Sequence, residues 1–285
     1  TNPKLLGGEL IGLKHRFRYI FITGILAVPT LASADQPIMN MMPRWDGGYG
    51  FQLLTEHIHR RDLKLGDRVI GSGLTEDINK LHLEAVYTWD RSIRMTFKLP
   101  YISDARREQI GLGGIKEVQE YEGLGDMTIA LPLKRYFNLA ARSGSWTIAP
   151  QVRIPIGKKQ NEYQVPDRVW GTGISIGYET ETYRWFLSTG AKFWTFGNKE
   201  PSEWGWTLDL GWKPTDGTLL LIETDIKWDN HDAFSISSGP AIYWRWSDRV
   251  HTRIEFKHDF ISEVSTREPD HSNGDNLRFG IGFVF

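Results

Sequence analysis

Cysteine is absent from the 285 residues, which excludes disulfides, thiolate metal sites and cysteine nucleophiles. A surplus of one charge is lacking too: 34 Lys and Arg stand against 35 Asp and Glu, a formal net charge of −1. Without a broad basic field, nucleic acid is not an expected partner. No apolar run reaches the ~18 residues that a membrane-spanning helix needs, and mean hydropathy is only −0.38. Gly111-Leu112-Gly113-Gly114 lacks the strand-to-helix setting of a phosphate loop, and no cofactor motif is present. What abounds is aromatic residues and glycine, with 12 Trp and 29 Gly. That composition suits many short strands better than a helix bundle.

The first segment reads as an address. Lys14, Arg16 and Arg18 precede a mostly apolar stretch from Tyr19 to Leu31, and Ala32-Ser33-Ala34 supplies a small-x-small cleavage site before Asp35. Basic, apolar, small is the order of a secretory signal peptide. Residues 1–34 are therefore expected to be leader and signal, and 35–285 to form one folded unit.

Period-two patterning dominates that unit. Leu277, Phe279, Ile281, Phe283 and Phe285 alternate with Arg278, Gly280, Gly282 and Val284, which is a strand with one apolar face. Val250, Thr252, Ile254, Phe256 and Phe260 oppose His251, Arg253, Glu255, Lys257 and Asp259. Trp204 to Trp212, Leu220 to Trp228, Ile93 to Tyr101 and Trp146 to Ile156 repeat the pattern. The rows of ionisable groups need water or one another.

A soluble sandwich or lipocalin-like barrel turns the apolar face inward; a transmembrane barrel turns it to lipid. Three features favour the second. Most strands read as 10–13 residues, long enough to cross a bilayer at a tilt. Trp204, Trp212, Trp228, Tyr243, Trp244 and Trp246 cluster at strand ends like interfacial girdles. The final alternating strand also ends on an aromatic, Phe285. The expected fold is all-β, a transmembrane antiparallel up-and-down β-barrel of about 12 strands, in the cell outer membrane with lipid around it.

The strands read as 49–61, 80–88, 92–103, 124–137, 145–156, 169–179, 183–196, 203–213, 218–228, 233–246, 249–263 and 275–285. Long connections then alternate with short ones, as in outer-membrane barrels. Segments 62–79, 104–123, 157–168 and 264–274 are expected as outer loops, and 213–217 and 247–248 as inner turns. Pro150 and Pro240 fall inside strands, where a closed barrel needs bulges to absorb a missing donor. His258 falls on the lipid side, where only the interface tolerates it.

Two resemblances follow from these residues. The terminal Leu277-x-Phe279-x-Ile281-x-Phe283-x-Phe285 resembles the assembly signal of Gram-negative outer-membrane barrels, which implies insertion by the barrel-assembly machinery. Tyr121-Glu122-Gly123-Leu124-Gly125-Asp126-Met127-Thr128, read as entering a strand, and Gln151-Val152-Arg153-Ile154-Pro155-Ile156-Gly157-Lys158 are similar to segments of one barrel family. That family, named after the meta-pathway of phenol degradation, consists of proposed outer-membrane transporters. The resemblance implies passive passage of small, hydrophobic or aromatic solutes, and no binding residue carries over from it.

Candidate functional side chains are the charged residues of the polar faces: Arg94, Lys98, Arg153, Lys192, Glu223, Asp225, Lys227, Arg253, Glu255, Lys257 and Asp259. In a narrow lumen they would set solute selectivity. Alternatively they pair with one another and plug it, since twelve strands enclose less space than a porin's 16–18. His271-Ser272-Asn273-Gly274 resembles the His-x-Ser-Asn-Gly of outer-membrane phospholipases without its spacer. Placed in a loop it reads as turn chemistry, so the chain is not expected to be an enzyme; a lipid hydrolase and a structural or adhesive barrel are the alternatives. His57-x-His59 puts two imidazoles on one face behind Met39, Met41 and Met42, a set open to a soft metal but common by chance, so no metal is assigned.

Overall fold

The computed structural model describes residues 48–111, 114–139, 142–156, 169–197, 200–267 and 269–285. The signal segment, the Met39–Met42 cluster, the expected outer loop 157–168 and Leu112-Gly113 lie outside the described residues.

Period-two sequence folds here into a closed ring of antiparallel strands. Its segments are β1 Gly48–Leu65, β2 Arg68–Asp90, β3 Ile93–Ile110, β4 Lys116–Leu124, β5 Met127–Ala130, β6 Leu133–Leu139 and β7 Arg142–Ile154. They continue as β8 Gly171–Glu181, β9 Trp185–Phe196, β10 Glu203–Thr215, β11 Thr218–Asp229, β12 Phe234–Arg245, β13 Val250–Glu263 and β14 Asp270–Val284. β4, β5 and β6 are pieces of one interrupted stave between β3 and β7, so the barrel has 12 staves. Closure comes from β14 pairing with β1, from Gly50↔Val284 through Lys64↔Asp270.

The apolar row faces outward. Phe279, Leu277, Ile254, Phe256, Ile222 and Leu210 are exposed on the barrel's exterior, while Arg253, Glu255 and Glu223 are buried within it. Such a wall exists to meet hydrocarbon, and closure removes every unpaired strand edge that lipid could not solvate. Aromatics mark the inner edge: Trp244 stacks on Trp246 at 4.7 Å, and Phe285 on Tyr49 at 5.3 Å. Trp204 and Trp228 pair at the other end. Tyr243 is not a girdle residue; it points inward, buried, with its hydroxyl 3.3 Å from Glu223.

All twelve expected strands exist, but two expected loops do not, and the last five residues of a third, 264–274, belong to β14. Segment 62–79 is a continuation of β1 and β2 around the turn Gly66-Asp67, making β2 23 residues long. Segment 104–123 is mostly the upper parts of β3 and β4. These hairpins rise well past the 11 and 12 residues of β8 and β9. Gly66 has φ +64, which a β-branched residue would resist.

The prolines sit where the ladder is already interrupted. Pro150 accepts from Leu131 N at 3.0 Å, on the side where β5 and β6 break, so its missing donor costs no bond. Pro240 pairs with Ile222 on β11, and the ladder to β13 has a gap between Ser238↔His258 and Ala241↔Glu255. A bulge lies nearby, between Ile236 and Ser237. The Gly-Leu-Gly-Asp segment enters β5 through a similar interruption: β4 ends at Leu124, Gly125 N donates to Pro100 O at 2.8 Å, and β5 starts at Met127.

Candidate functional site

Alternation places one side chain in two inside the barrel, so the lumen wall can be read stave by stave. On β13, Arg253, Glu255 and Lys257 project inward; on β11, Glu223 and Asp225 do so. Lys257 Nζ lies 2.8 Å from Asp225 Oδ2 and 3.2 Å from Glu223 Oε2. Arg253 pairs with Glu255 and sits 3.6 Å from Glu223, with its guanidinium 5.0 Å from the Tyr243 ring centroid. Five of the candidates expected from the alternation thus meet in a single cluster.

The cluster continues through residues outside that candidate set and ends on a sixth candidate, Lys98. Arg278 on β14 reaches Glu56 at 2.6 Å and Glu255 at 3.4 Å. Asn276 Nδ2 donates to Glu56 at 2.9 Å. On β2, His82 Nε2 is 2.8 Å and Lys80 Nζ 3.8 Å from Glu56 Oε2. Gln52 donates to Glu84 at 3.3 Å, and Lys98 on β3 lies 3.3 Å from the same carboxylate. Acid and base therefore alternate across β11, β13, β14, β1, β2 and β3, which satisfies buried charge by neighbours. A signal for the β2 members exists in the chain: Lys80, His82 and Glu84 alternate with Leu81, Leu83 and Ala85.

The remaining candidates are separate from this ladder. Arg94 is buried near the inner end, its guanidinium 3.2 Å from Tyr136 Oη; nearby, Lys134 and Ser145 hold Glu179 at 3.0 and 2.7 Å. Arg153 lies over Phe196 and Trp194, 4.5 and 5.3 Å from the ring centroids. Lys192 packs beside Gly205, across from Ser175. Lys227 is exposed at the outer end, and Asp259 accepts from Gly274 N at 3.0 Å.

Counting staves around the ring puts β7, β8, β9 and β10 opposite β13, β14, β1 and β2. That facing wall carries a band of small inward residues. Thr147 pairs with Gly177, Gly177 with Gly190, and Gly190 with Thr207, next to a row of Ala149, Ser175, Lys192 and Gly205. The ionic ladder thus looks across at a band of small residues, flanked by Lys192 and by Arg153 on the Trp194 and Phe196 rings.

His57 and His59 lie outside the lumen, on the outward face of β1. His57 Nδ1 is 2.8 Å from Asn79 and His59 Nδ1 2.6 Å from Asp77. His258 pairs with Asp275 at 2.7 Å, and Arg61 reaches the same carboxylate at 2.8 Å. Mutual pairing makes these polar groups bearable at the outer edge of the apolar band. His271 and Ser272 lie in β14, not in a loop, and are buried. His271 Nδ1 accepts from Arg107 at 3.2 Å. Among the described residues, Glu76, Asp270 and His271 form the one cluster with metal-ligand spacing. Arg107 pairs with Asp270 and Arg60 with Glu76 at 2.8 Å, so cations already hold both carboxylates.

No protein-family model matches the chain. No curated protein matches it either. Among solved structures it is similar to an outer membrane channel from Pseudomonas putida F1, at 16% identity and TM-score 0.69, covering 89% of this chain and 100% of that one. Looser likenesses are the KdgM porin in complex with disordered oligogalacturonate (8%, TM-score 0.48, 82% and 99% covered) and the translocator domain of autotransporter NalP from Neisseria meningitidis (7%, TM-score 0.44, 84% and 88%). The fold is that of an outer-membrane barrel, and its lipid-facing wall belongs in that membrane.

Proposed function

We propose that this barrel is a passive outer-membrane channel for small solutes, hydrophobic or aromatic in character, and a relative of the phenol meta-pathway barrels whose motifs it resembles. The observation that carries the reading is the uneven lumen: an ionic ladder from Glu223 to Lys98 on one side, and Thr147, Gly177, Gly190 and Thr207 opposite it. A wall of that kind leaves a narrow polar passage whose charges choose what enters. In this reading residues 1–34 are the export signal, and Leu277, Phe279, Ile281, Phe283 and Phe285 are what the barrel-assembly machinery recognises.

Planar-bilayer recording tests it. The purified chain is expected to give discrete conductance steps that change in size with Arg253→Ala or Glu255→Ala. A second reading, a structural barrel with a plugged lumen, is favoured by the tight packing of Arg253, Glu255 and Glu223, each under a tenth exposed. A silent bilayer with correctly folded protein supports that reading and rejects the channel.

A further inference from the structure

The signs of the ladder charges differ in how far they reach. Lys98 is 36% exposed in its side chain, and its partner Glu84 is 8% exposed. Arg278 is 22% exposed, against 4% for Glu56 and 1% for Glu255. Lys80 follows the same order against Glu56. In each pair the carboxylate lies against the wall and the cation stands between it and the lumen water. Each pair is then a dipole with its positive end toward the axis, and a passing ion meets that end at shorter range. Asp225 on β11 departs from the order, since it is more exposed than Lys257, and Asp209 on β10 is half-buried.

The opposite wall adds a flat cationic platform. The rings of Trp194 and Phe196 lie close against β8 because Gly173 and Gly171 have no Cβ; one added there would fall 2.6 Å from each ring. Arg153 rests its guanidinium on both rings. Such a stack offers charge and apolar area in one place.

We infer that the lumen selects small organic anions, a carboxylate on a flat apolar body, with Lys98, Lys80 and Arg278 drawing the charge and Arg153 with Trp194 and Phe196 receiving the body. The inference rests on the channel reading and names its solute class. It is tested with the full chain in planar bilayers under a potassium chloride gradient. The reversal potential is expected to have the sign of chloride preference, and Lys98→Glu, at the most exposed cation of the ladder, to lower the chloride-to-potassium permeability ratio by roughly threefold. Added benzoate is expected to block the current in the wild type and less in Arg153→Gln, whereas benzyltrimethylammonium leaves it unchanged. Conductance that is unselective or prefers potassium overturns the inference and leaves the channel standing. Equal block by both aromatic ions overturns it as well. Absence of any conductance removes the channel reading, and this inference with it.

Discussion

Glu56 and Arg278 are direct cross-strand partners at the seam where the last strand meets the first, and their side chains lock there at 2.6 Å. The carboxylate also takes Asn276 and His82, so a single acid ties β14, β1 and β2. Register between chain ends far apart in sequence is set by few local cues, and a buried ion pair is one device that makes a slip costly.

Removing one partner of such a pair strands the other in a poorly solvated site. Glu56→Gln is therefore expected to cost about 3–5 kcal/mol, read as a lower urea midpoint for unfolding from lipid vesicles. Arg278→Gln should cost a similar amount. The double variant should lose clearly less than the sum, and strict additivity would mean that the pair does not stabilise the seam.

The sequence is most legible where one strand face meets lipid. There, Leu277 to Phe285 and Val250 to Phe256 alternate without exception, and both strands lie where the alternation puts them. It is least legible above the bilayer. From residue 62 to 79 neither face is uniformly apolar: Leu63, Leu74 and Ile78 are buried alongside Glu76, and Asp62, Lys64, Asp67, Arg68 and Asp77 break up any row that would betray a strand. Its regularity comes from β1 and β2 pairing across Gly66-Asp67, a tertiary fact. For the lumen, six candidates converge on one ladder, yet its acidic centre, Glu56, is not among them. Its strand neighbours on the lipid side, Thr55, His57 and His59, blur the alternation that would mark it.

Phe279 provides a direct test of which face meets lipid. It stands exposed on the outward row in the middle of β14, between Gly280 and Arg278 on the inward row. Phe279→Arg is expected to destabilise the folded barrel by about 2–4 kcal/mol, the cost of a cation near the bilayer midplane. Gly280→Ser, on the aqueous side, should change stability far less. Both are measured by reversible denaturation in lipid, and equal costs would mean that the faces are misassigned.

The small-residue wall makes a steric prediction. Thr207 on β10 is half-buried and faces the lumen beside Gly190. Thr207→Trp places an indole in the passage without touching the ionic ladder, so single-channel conductance should fall by about half or more while the melting temperature holds. A change in melting without a change in conductance would show that the path runs elsewhere.

The projecting hairpins carry the pH dependence. Glu108, on the upper part of β3, is held below the usual carboxylate range by Lys116 Nζ at 2.7 Å, with Thr75 N and Arg106 adding to the effect. Asp62 is lowered in the same way by the Gly73 backbone N–H at 3.1 Å, with Asn273 beside it. A carboxyl whose folded pKa is depressed contributes stability that is fully present above its unfolded value of about 4 and is lost as pH falls through the folded value. Both groups staple one hairpin strand to another, Glu108 joining β3 to β2 and β4, and Asp62 joining β1 to β2 and β14. Acid should therefore loosen the hairpins before the barrel. Hydrogen exchange at Thr75 and Gly73 is expected to accelerate below about pH 4 while amides of β8 and β9 stay protected. Glu108→Gln should bring the faster exchange of Thr75 to neutral pH and leave Gly73 unchanged. If the barrel and hairpins open together, the hairpins are not an independent unit and the two carboxylates do not control them.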